Sequence, residues 1–396
     1  MKPGLALLPK RNAFPPRGPH SCTLHVDGGA FIPAMLDAIA GAKQRVFLEM
    51  YLFASGATAE LFIAALSGAA RRGVAVHLLL DDFGSRGLTR EDRARLVAAG
   101  VHIALYNPLG LGRWRLSLLR NHRKLLAVDG ELAFVGGTGI TDDFAPDARQ
   151  DGQHWHEVML GLSGPCVADW ETLFTQCWKQ WSQQRIADPQ RPPRTLPGAA
   201  DAQVVGHNHA GGRPVMRSVL SAIGKARRHV WIATAYFVPT VRLRRVLLRA
   251  ARRGVDVRLL LAGPRSDHPA VWHAGRRFYG RLLRGGVRIF EYQPRFLHAK
   301  MVLCDDWASI GSSNLDHWTL RWNLEANQTV MDPAFARELA ALFSADFEHS
   351  VEWTDSSWRN RGLWLRFLER VAGSLDDYLI QWSYRRSLRH PSSRRS

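Results

Sequence analysis

The segment RNHRKLLAVDGELAFVGGTG, residues 120–139, has a counterpart in FLHAKMVLCDDWASIGSSN, residues 296–314. Each copy places a His and a Lys two residues apart, followed by four apolar residues and an Asp. Asp129–Gly130 is a strong signal for a two-residue hairpin turn, and Asp305–Asp306 stands at the matching place. We therefore predict two equivalent β-hairpins, each opening with a pair of side chains that can carry positive charge.

The paired side chains of each copy lie on one side of the hairpin. Residues i and i+2 of an extended strand share a face, so His122 and Lys124 point the same way, as do His298 and Lys300. A single His-x-Lys is weak evidence, but its repetition at equivalent points of an internal repeat is not expected by chance. We predict that these four side chains act together.

The two halves of the chain resemble each other beyond these hairpins. AARRGVAVHLLLDD, residues 69–82, matches AARRGVDVRLLLAGP, residues 250–264, and both lie between further apolar runs. Apolar strands that alternate with helices predict an α/β fold, with a mixed and mostly parallel sheet flanked by helices in each half. If the halves pack about a pseudo-twofold axis, the site lies at their interface.

A segment with four prolines, residues 183–202, divides the chain near its middle. It is the best candidate for a linker. We predict an N-terminal domain over residues 20–185, a C-terminal domain over residues 203–352, and a basic amphipathic tail over residues 353–396.

Two imidazoles and two ammonium groups in one pocket form an anion site suited to a phosphodiester. The lysines can offset the charge that builds up during phosphoryl transfer, a task that other enzymes give to metal ions. One neutral His can attack phosphorus and form a phosphohistidine, while the other, protonated, gives its proton to the leaving alkoxide. We expect no cofactor.

Two glutamates are candidates for orienting the histidines. Glu157 lies eight residues before Pro165, and Glu325 lies eight residues before Pro333, which marks them as equivalents. A carboxylate that accepts the Nδ1–H of a His fixes its tautomer and holds its ring. Each glutamate follows its own His-x-Lys motif along the chain.

The charge balance indicates an anionic partner. The 396 residues carry a formal net charge of +18, which suits nucleic acid, acidic lipid headgroups or a phosphate-bearing substrate. No run of about 18 apolar residues predicts a membrane-spanning helix. The segment Trp358–Ser396 holds nine Arg and three acids, and its large apolar residues recur at helical spacing, as in an amphipathic helix on a membrane surface. Those residues are Trp364, Leu368, Val371, Leu375, Leu379 and Trp382.

The motifs resemble the phospholipase D superfamily, whose signature is H-x-K-x4-D-x6-G-[SG]-x-N in two copies. Within it the chain is most similar to bacterial cardiolipin synthases without transmembrane helices, on the segments RNHRKLLAVDG (120–130), AYFVP (235–239), FLHAK (296–300) and GSSNLD (311–316). The resemblance covers roughly residues 20–350. It implies two tandem phospholipase-D-like domains, and an enzyme that works peripherally on the cytoplasmic face of the bacterial inner membrane.

The resemblance also implies roles for the paired residues. His122 matches the first motif His and would be the nucleophile, while His298 would be the general acid and base. Lys124 and Lys300 would bind the phosphoryl oxygens, and the resemblance implies no metal. The spacing of the residues does not by itself order the two histidines.

The end of each motif carries further implied roles and two departures from the signature. Ser312 and Asn314 would hydrogen-bond the phosphoryl oxygens, and Asp129 and Asp305, counted with the catalytic motif, are expected to be structural at the hairpin turns. The first motif ends in Gly139 where the signature has Asn, so one amide donor is absent. In the second motif, five residues instead of six separate the Asp from the Gly.

The favoured function is a phosphatidyltransferase that makes cardiolipin from phosphatidylglycerol and a second phospholipid. A phospholipase D-type hydrolase would use the same site with water as acceptor, and a nucleic-acid phosphodiesterase is a more distant alternative. We expect an anionic phospholipid membrane as partner and no stable nucleic-acid partner, because no nucleic-acid-binding module is recognisable. A non-catalytic scaffold is disfavoured because both His–Lys pairs are intact. The sequence identifies no protein partner.

Overall fold

A computed structural model describes residues 14–108, 119–146, 153–186, 200–207, 214–316 and 323–362. In these residues the strands are β1 Arg17–Val26, β2 Arg45–Met50, β3 Ala75–Asp81, β4 His102–Tyr106, β5 Arg120–Asn121, β6 Leu125–Val128, β7 Leu132–Gly136, β8 Val158–Ser163, β9 Ala200–His207, β10 His229–Thr234, β11 Asp256–Ala262, β12 Arg288–Tyr292, β13 Met301–Cys304, β14 Trp307–Gly311, β15 Asn323–Met331 and β16 Ser350–Trp353. The α-helices are α1 Gly28–Gly41, α2 Ala57–Arg71, α3 Arg90–Ala98, α4 Cys166–Trp181, α5 Pro214–Lys225, α6 Val241–Arg252, α7 Pro269–Arg276, α8 Tyr279–Arg284, α9 Pro333–Glu348 and α10 Asp355–Arg359.

The strands form one continuous mixed sheet, in the order β16-β12-β11-β10-β13-β14-β15-β9-β1-β8-β7-β6-β2-β3-β4. The halves meet where β1 pairs antiparallel with β9. Outward from this junction, β8-β7-β6-β2-β3-β4 in the first half repeat the order β15-β14-β13-β10-β11-β12 in the second. Strands β2, β3 and β4 of the first half are parallel to one another, as are β10, β11 and β12 of the second. The predicted α/β fold with a mixed sheet flanked by helices is confirmed, but the expectation of a mostly parallel sheet is wrong. Among the described residues, ten of the strand pairs are antiparallel and five are parallel, because the hairpins and the junction between the halves add antiparallel neighbours to the parallel strands.

The strand bounds differ from the predicted domain limits at three places. Strand β1 begins at Arg17, before the predicted limit at residue 20, and β9 begins at Ala200, inside the predicted linker. Strand β16 pairs antiparallel with β12 and ends at Trp353, where the predicted tail begins. The amphipathic part of that tail, residues 363–396, lies outside the described residues. Among the helices described, none is long and apolar enough to cross a membrane.

A buried apolar cluster joins the two halves beneath the junction. It contains Trp170 and Phe174 from α4 of the first half, and Phe335 and Phe343 from α9 of the second. The indole Nε1–H of Trp170 donates to Gln328 Oε1 across the halves at 2.8 Å. Because dense apolar packing resists deformation, the halves hold the residues between them in a fixed frame.

The motif aspartate of the first hairpin stands at the turn, with φ at +55°. Its carboxylate accepts three backbone N–H bonds, from Lys43, Gln44 and Arg45, each at 2.8 Å. Asp129 therefore ties the turn to the start of β2, at the far end of β6 from Lys124.

The motif aspartate of the second hairpin repeats this arrangement. Asp305 has φ at +53°, and its carboxylate accepts from the backbone N–H groups of Arg227, Arg228 and His229 at 2.8 to 3.0 Å. Both carboxylates thus lie at the turns, away from the histidines of their motifs.

Candidate active site

Each His-x-Lys segment is hydrogen-bonded to the opposite half of the molecule. The short strand β5 pairs parallel with β15, and the backbone N–H of His122 donates to the Leu324 carbonyl at 3.0 Å. In the same way, the His156 N–H donates to the Phe296 carbonyl at 2.8 Å, and the His298 N–H donates to the His156 carbonyl at 2.8 Å. Each motif His is therefore placed beside the residue that precedes the glutamate of the other half.

The two histidine–glutamate pairs consequently cross between the halves. His298 Nδ1 lies 2.6 Å from Glu157 Oε2, and His122 Nδ1 lies 3.0 Å from Glu325 Oε1 but out of line for a good hydrogen bond. Both carboxylates are fully buried. Because Nδ1 of each ring is the nitrogen that faces a carboxylate, Nε2 is the one available to a substrate.

The lysines bend back onto their own motifs. Lys124 Nζ donates to the His122 carbonyl at 2.7 Å. Lys300 Nζ donates to the His298 carbonyl and lies 3.8 Å from Glu157 Oε2. Both lysine side chains are buried, so each amino group is held against the histidine of its own motif.

Burial and mutual repulsion shift the pKa values of all four groups. Burial and then the charges of Lys300 and Lys124 hold the pKa of His298 well below its usual value. Burial and Lys124 also lower the pKa of His122, with Glu325 opposing. Burial lowers the pKa of Lys124 to about 7 and that of Lys300 in the same direction, each opposed by the glutamates.

The glutamate beside His298 has a shifted pKa as well. Burial raises the pKa of Glu157 to about 7, with Lys300 opposing. A bound phosphodiester would supply negative charge to the lysines and histidines, and so favour their charged forms. Among the residues described, no cluster of His, Cys, Asp and Glu has the geometry of a metal site.

The second motif adds polar groups to its half of the site. The Ser312 hydroxyl donates to Glu325 Oε2 and accepts from the Ala326 N–H at 3.1 Å. The amide oxygen of Asn314 accepts from the Thr234 hydroxyl at 3.2 Å, which orients the side-chain amide. Ser312 and Asn314 are both buried.

In the first motif, glycines stand at the equivalent places and other groups fill their space. A Cβ at Gly137, the counterpart of Ser312, would lie 2.2 Å from Glu157 Oε2. A Cβ at Gly139, the counterpart of Asn314, would lie 2.7 Å from the Leu52 Cβ. The missing Asn is therefore replaced by apolar packing, and the missing Ser by the carboxylate that binds His298.

Aromatic side chains that the sequence analysis did not identify surround both histidines. The rings of Trp155, Phe144 and Phe296 lie 5.1 to 5.7 Å from the His298 ring. The Tyr51 ring lies 4.8 Å from the His122 ring, and Lys124 Nζ lies 5.2 Å from its centre. Tyr51 follows β2, and the carboxyl ends of parallel strands are where open α/β sheets bind ligands, which was the available signal.

The chain matches the family profile described as "Cardiolipin synthase, PLD-like domain" over residues 35–178 and 219–347. It is 35% identical over 363 residues to cardiolipin synthase B of Salmonella typhi, covering 87% of this chain and 84% of that protein. It is 34% identical to cardiolipin synthase B of Escherichia coli strain K12, covering 87% and 84%. With cardiolipin synthase A of Pseudomonas aeruginosa the identity is 33%, over 90% of this chain and 73% of that protein.

Two solved structures share the fold. A phosphatidylserine synthase from Haemophilus influenzae Rd KW20 superposes with a TM-score of 0.70 at 12% identity, over 91% of this chain and 93% of that one. A polyphosphate kinase from Porphyromonas gingivalis superposes with a TM-score of 0.59 at 15% identity, over 85% of this chain and 49% of that one. The two-half sheet architecture is thus common to all three chains.

Proposed function

The chain belongs to the family of cardiolipin synthases with PLD-like domains, and we propose that it makes cardiolipin from phosphatidylglycerol and a second phospholipid. The observation that carries the proposal is the pair of crossed histidine–glutamate contacts around two buried lysines. Such a site combines two imidazoles with an anion-binding pocket, which is what a two-step phosphatidyl transfer requires.

In the first step, His122 Nε2 attacks the phosphorus of one phospholipid. The P–N bond forms as the P–O bond to the leaving alcohol breaks, and His298 gives that alkoxide a proton. In the second step, His298 takes the proton from the hydroxyl of the acceptor lipid, its oxygen bonds to phosphorus, and the P–N bond breaks. The phosphodiester is restored in cardiolipin, and His122 is regenerated.

The remaining site residues stabilise charge or hold the histidines. Lys124 and Lys300 neutralise the non-bridging oxygens, and the amide of Asn314 donates to one of them. Ser312 acts through Glu325, to which its hydroxyl donates. Glu157 and Glu325 fix the Nδ1–H tautomers, so that Nε2 of each ring faces the chemistry.

The electrostatics of the site support this order of proton transfers. Without substrate, burial and the lysines disfavour a proton on His298. The negative charge of a bound phosphodiester raises the pKa of His298, so the ring can take up the proton that it later donates. The ring of His122 has an exposed fraction of 14% against 7% for His298, which gives a lipid phosphate easier access to His122.

The test is to incubate the purified protein with phosphatidylglycerol vesicles, with and without phosphatidylethanolamine, and to analyse the lipids. Cardiolipin with release of glycerol or ethanolamine supports the transferase, whereas phosphatidic acid alone would establish a hydrolase instead. No lipid turnover together with cleavage of single-stranded DNA would refute the lipid assignment. Rapid quenching followed by peptide mapping should place the phosphatidyl group on His122, and a label on His298 would reverse the two histidine roles.

We also propose that the protein binds peripherally to the cytoplasmic face of the bacterial inner membrane. The net charge of +18 and the basic amphipathic pattern of residues 353–396 support contact with anionic lipid. We expect cosedimentation with phosphatidylglycerol vesicles but not with phosphatidylcholine vesicles, weakening as salt rises. A chain that ends at residue 362 should bind these vesicles less well, and equal binding would exclude the tail as the contact.

A further inference from the structure

His156 is a buried histidine that the mechanism above does not use, and its ring joins the two halves. Its Nδ1 lies 2.8 Å from Asp27 Oδ1, and its Nε2 lies 3.2 Å from Asp346 Oδ2. Asp27 follows β1 of the first half, while Asp346 lies on α9 of the second. The ring also stacks on Tyr292, with centroids 5.0 Å apart.

The surroundings favour the doubly protonated form of this ring. A neutral imidazole has one N–H and can donate to only one carboxylate, whereas the imidazolium donates to both. Burial alone would lower the pKa of His156, but the bonds to Asp27 and Asp346 outweigh it and raise the pKa to about 9. Arg295 contacts the other oxygen of Asp27, so two positive and two negative charges balance within the cluster.

This cluster adjoins the active site through the chain itself. His156 precedes Glu157, and its carbonyl accepts from the N–H groups of His298 and Ala299 at 2.8 and 3.0 Å. In the other half, the counterpart of His156 is Leu324, whose carbonyl accepts from the N–H of His122. Both half-sites therefore have the backbone hydrogen bond from the motif histidine, but only one of them has a charged ring at the residue that accepts it.

We propose that His156 is a positioning residue whose fixed positive charge keeps Glu157 a carboxylate and holds it against His298. The inference rests on the proposed function for its catalytic consequence. Burial raises the pKa of Glu157, while the positive charges of Lys300, His156 and Lys124 oppose that rise. Without the positive charge at residue 156, the pKa of Glu157 rises further. A protonated Glu157 no longer stabilises a proton on His298.

The groups that face His156 come from every neighbouring element. They are Asp27 after β1, Tyr292 at the end of β12, Arg295 and His298 in the segment before β13, and Asp346 on α9. Only Asp27 and Asp346 contact the ring nitrogens as acceptors among the described residues. Removing either carboxylate should therefore lower the pKa of His156.

The experiment compares His156→Gln and His156→Arg with the wild type, using His349→Gln at an exposed position as control. In ¹⁵N-histidine-labelled protein without lipid, we expect the His298–Glu157 pair to take up its proton about one pH unit higher in the Gln variant, a tenfold change in the proton-binding constant. The acidic limb of the pH profile of kcat/KM for phosphatidylglycerol turnover should move to higher pH by the same amount. The Arg variant should restore both midpoints.

A folded His156→Gln protein with the wild-type midpoints would overturn the inference, as would a uniform fall in kcat without a shift. If His156→Gln does not fold, His156→Asn provides the test, because it is also neutral and should raise the protonation midpoint of the His298–Glu157 pair in the same way. An unchanged midpoint in the folded Asn variant would then overturn the inference. A wild-type protein that turns over no phospholipid would refute the proposed function alone, because the NMR midpoint is measured without lipid.

Discussion

The two half-sites have the same backbone arrangement but carry different side chains. In the second motif, the Ser312 hydroxyl occupies one oxygen of Glu325, and the other oxygen lies 3.0 Å from His122. In the first motif, Gly137 leaves room for Glu157, whose Oε2 lies 2.6 Å from His298. The absence of a side chain at residue 137 is therefore a functional feature, because it allows a direct carboxylate–imidazole bond.

The difference indicates that the two histidines are prepared for different tasks. A ring tightly bonded to a carboxylate is better able to hold and release a proton, while a more loosely held ring keeps its lone pair for attack. This agrees with His298 as acid and base and His122 as nucleophile. The comparison leads to four predictions.

The largest effect is expected from removing either histidine. His122→Ala and His298→Ala should each lower kcat by at least about 10³-fold, because residues that act as a unit fail together. Lipid turnover and vesicle cosedimentation are the measurements, and vesicle binding should stay unchanged. Turnover within tenfold of wild type in either folded variant would show that the half-sites work independently.

Exchanging the small residues of the two motifs breaks the comparison directly. Gly137→Ser should lower kcat by about 10²-fold, because its Cβ would displace Glu157 from His298 and misplace the ring. Ser312→Gly should cost about tenfold, since Glu325 loses one donor but keeps its place. Steady-state kinetics on vesicles measure both, with circular dichroism as the check on folding. A larger loss in Ser312→Gly than in Gly137→Ser would reverse our assignment of the two half-sites.

Lys124 should lower the free energy of unfolding of the protein, although the active site needs its positive charge. Burial lowers its pKa to about 7, so near neutral pH the folded state binds this proton less tightly than the unfolded chain. The cost is fully present below about pH 7 and disappears as the pH rises towards the ordinary value near 10.5. Lys124→Met should raise the free energy of unfolding by up to about 4 kcal/mol at pH 7, and it should lower turnover.

Urea unfolding of Lys124→Met at pH 7 and pH 10 measures this trade-off. The gain in stability should shrink at the higher pH. An equal gain at both pH values would mean that it comes from packing and not from the buried charge.

The smallest effect should come from the motif aspartates, and it should be the same in both halves. Asp129→Asn and Asp305→Asn each weaken three backbone N–H bonds at a turn, which should cost about 1–2 kcal/mol of stability. We expect kcat/KM to stay within threefold of wild type. A tenfold fall in kcat/KM of either folded variant would place that carboxylate in the chemistry.

The sequence predicted most of the frame because its signals are local. Alternating apolar strands and helices and the Asp-containing turns predict the sheet and its hairpins without any knowledge of distant contacts. The repeat also identified Glu157 and Glu325 as equivalents. Tertiary pairing alone decides that Glu157 contacts His298 and Glu325 contacts His122, because these contacts depend on how β5 and His156 bond across the halves.

Other features also depended on contacts that no local pattern encodes. The linker prediction included Ala200, yet β9 begins there because it pairs with β1 and β15. His156 stands in HWHEV like any polar residue at a strand entrance. Its importance comes from Asp27 and Asp346, which are distant in sequence and meet its ring only in the folded protein.

The crossed glutamates have a consequence for how such a protein could arise. Each dyad takes its imidazole from one half and its carboxylate from the other, so a chain consisting of one half alone would hold neither dyad. An ancestor of that size would have needed a second copy of itself, each subunit lending a glutamate to the other. Fusion of two such genes would then allow the two copies to change separately. The difference between the two motifs, with glycines in one and Ser and Asn in the other, is the kind of divergence that a fused pair can inherit.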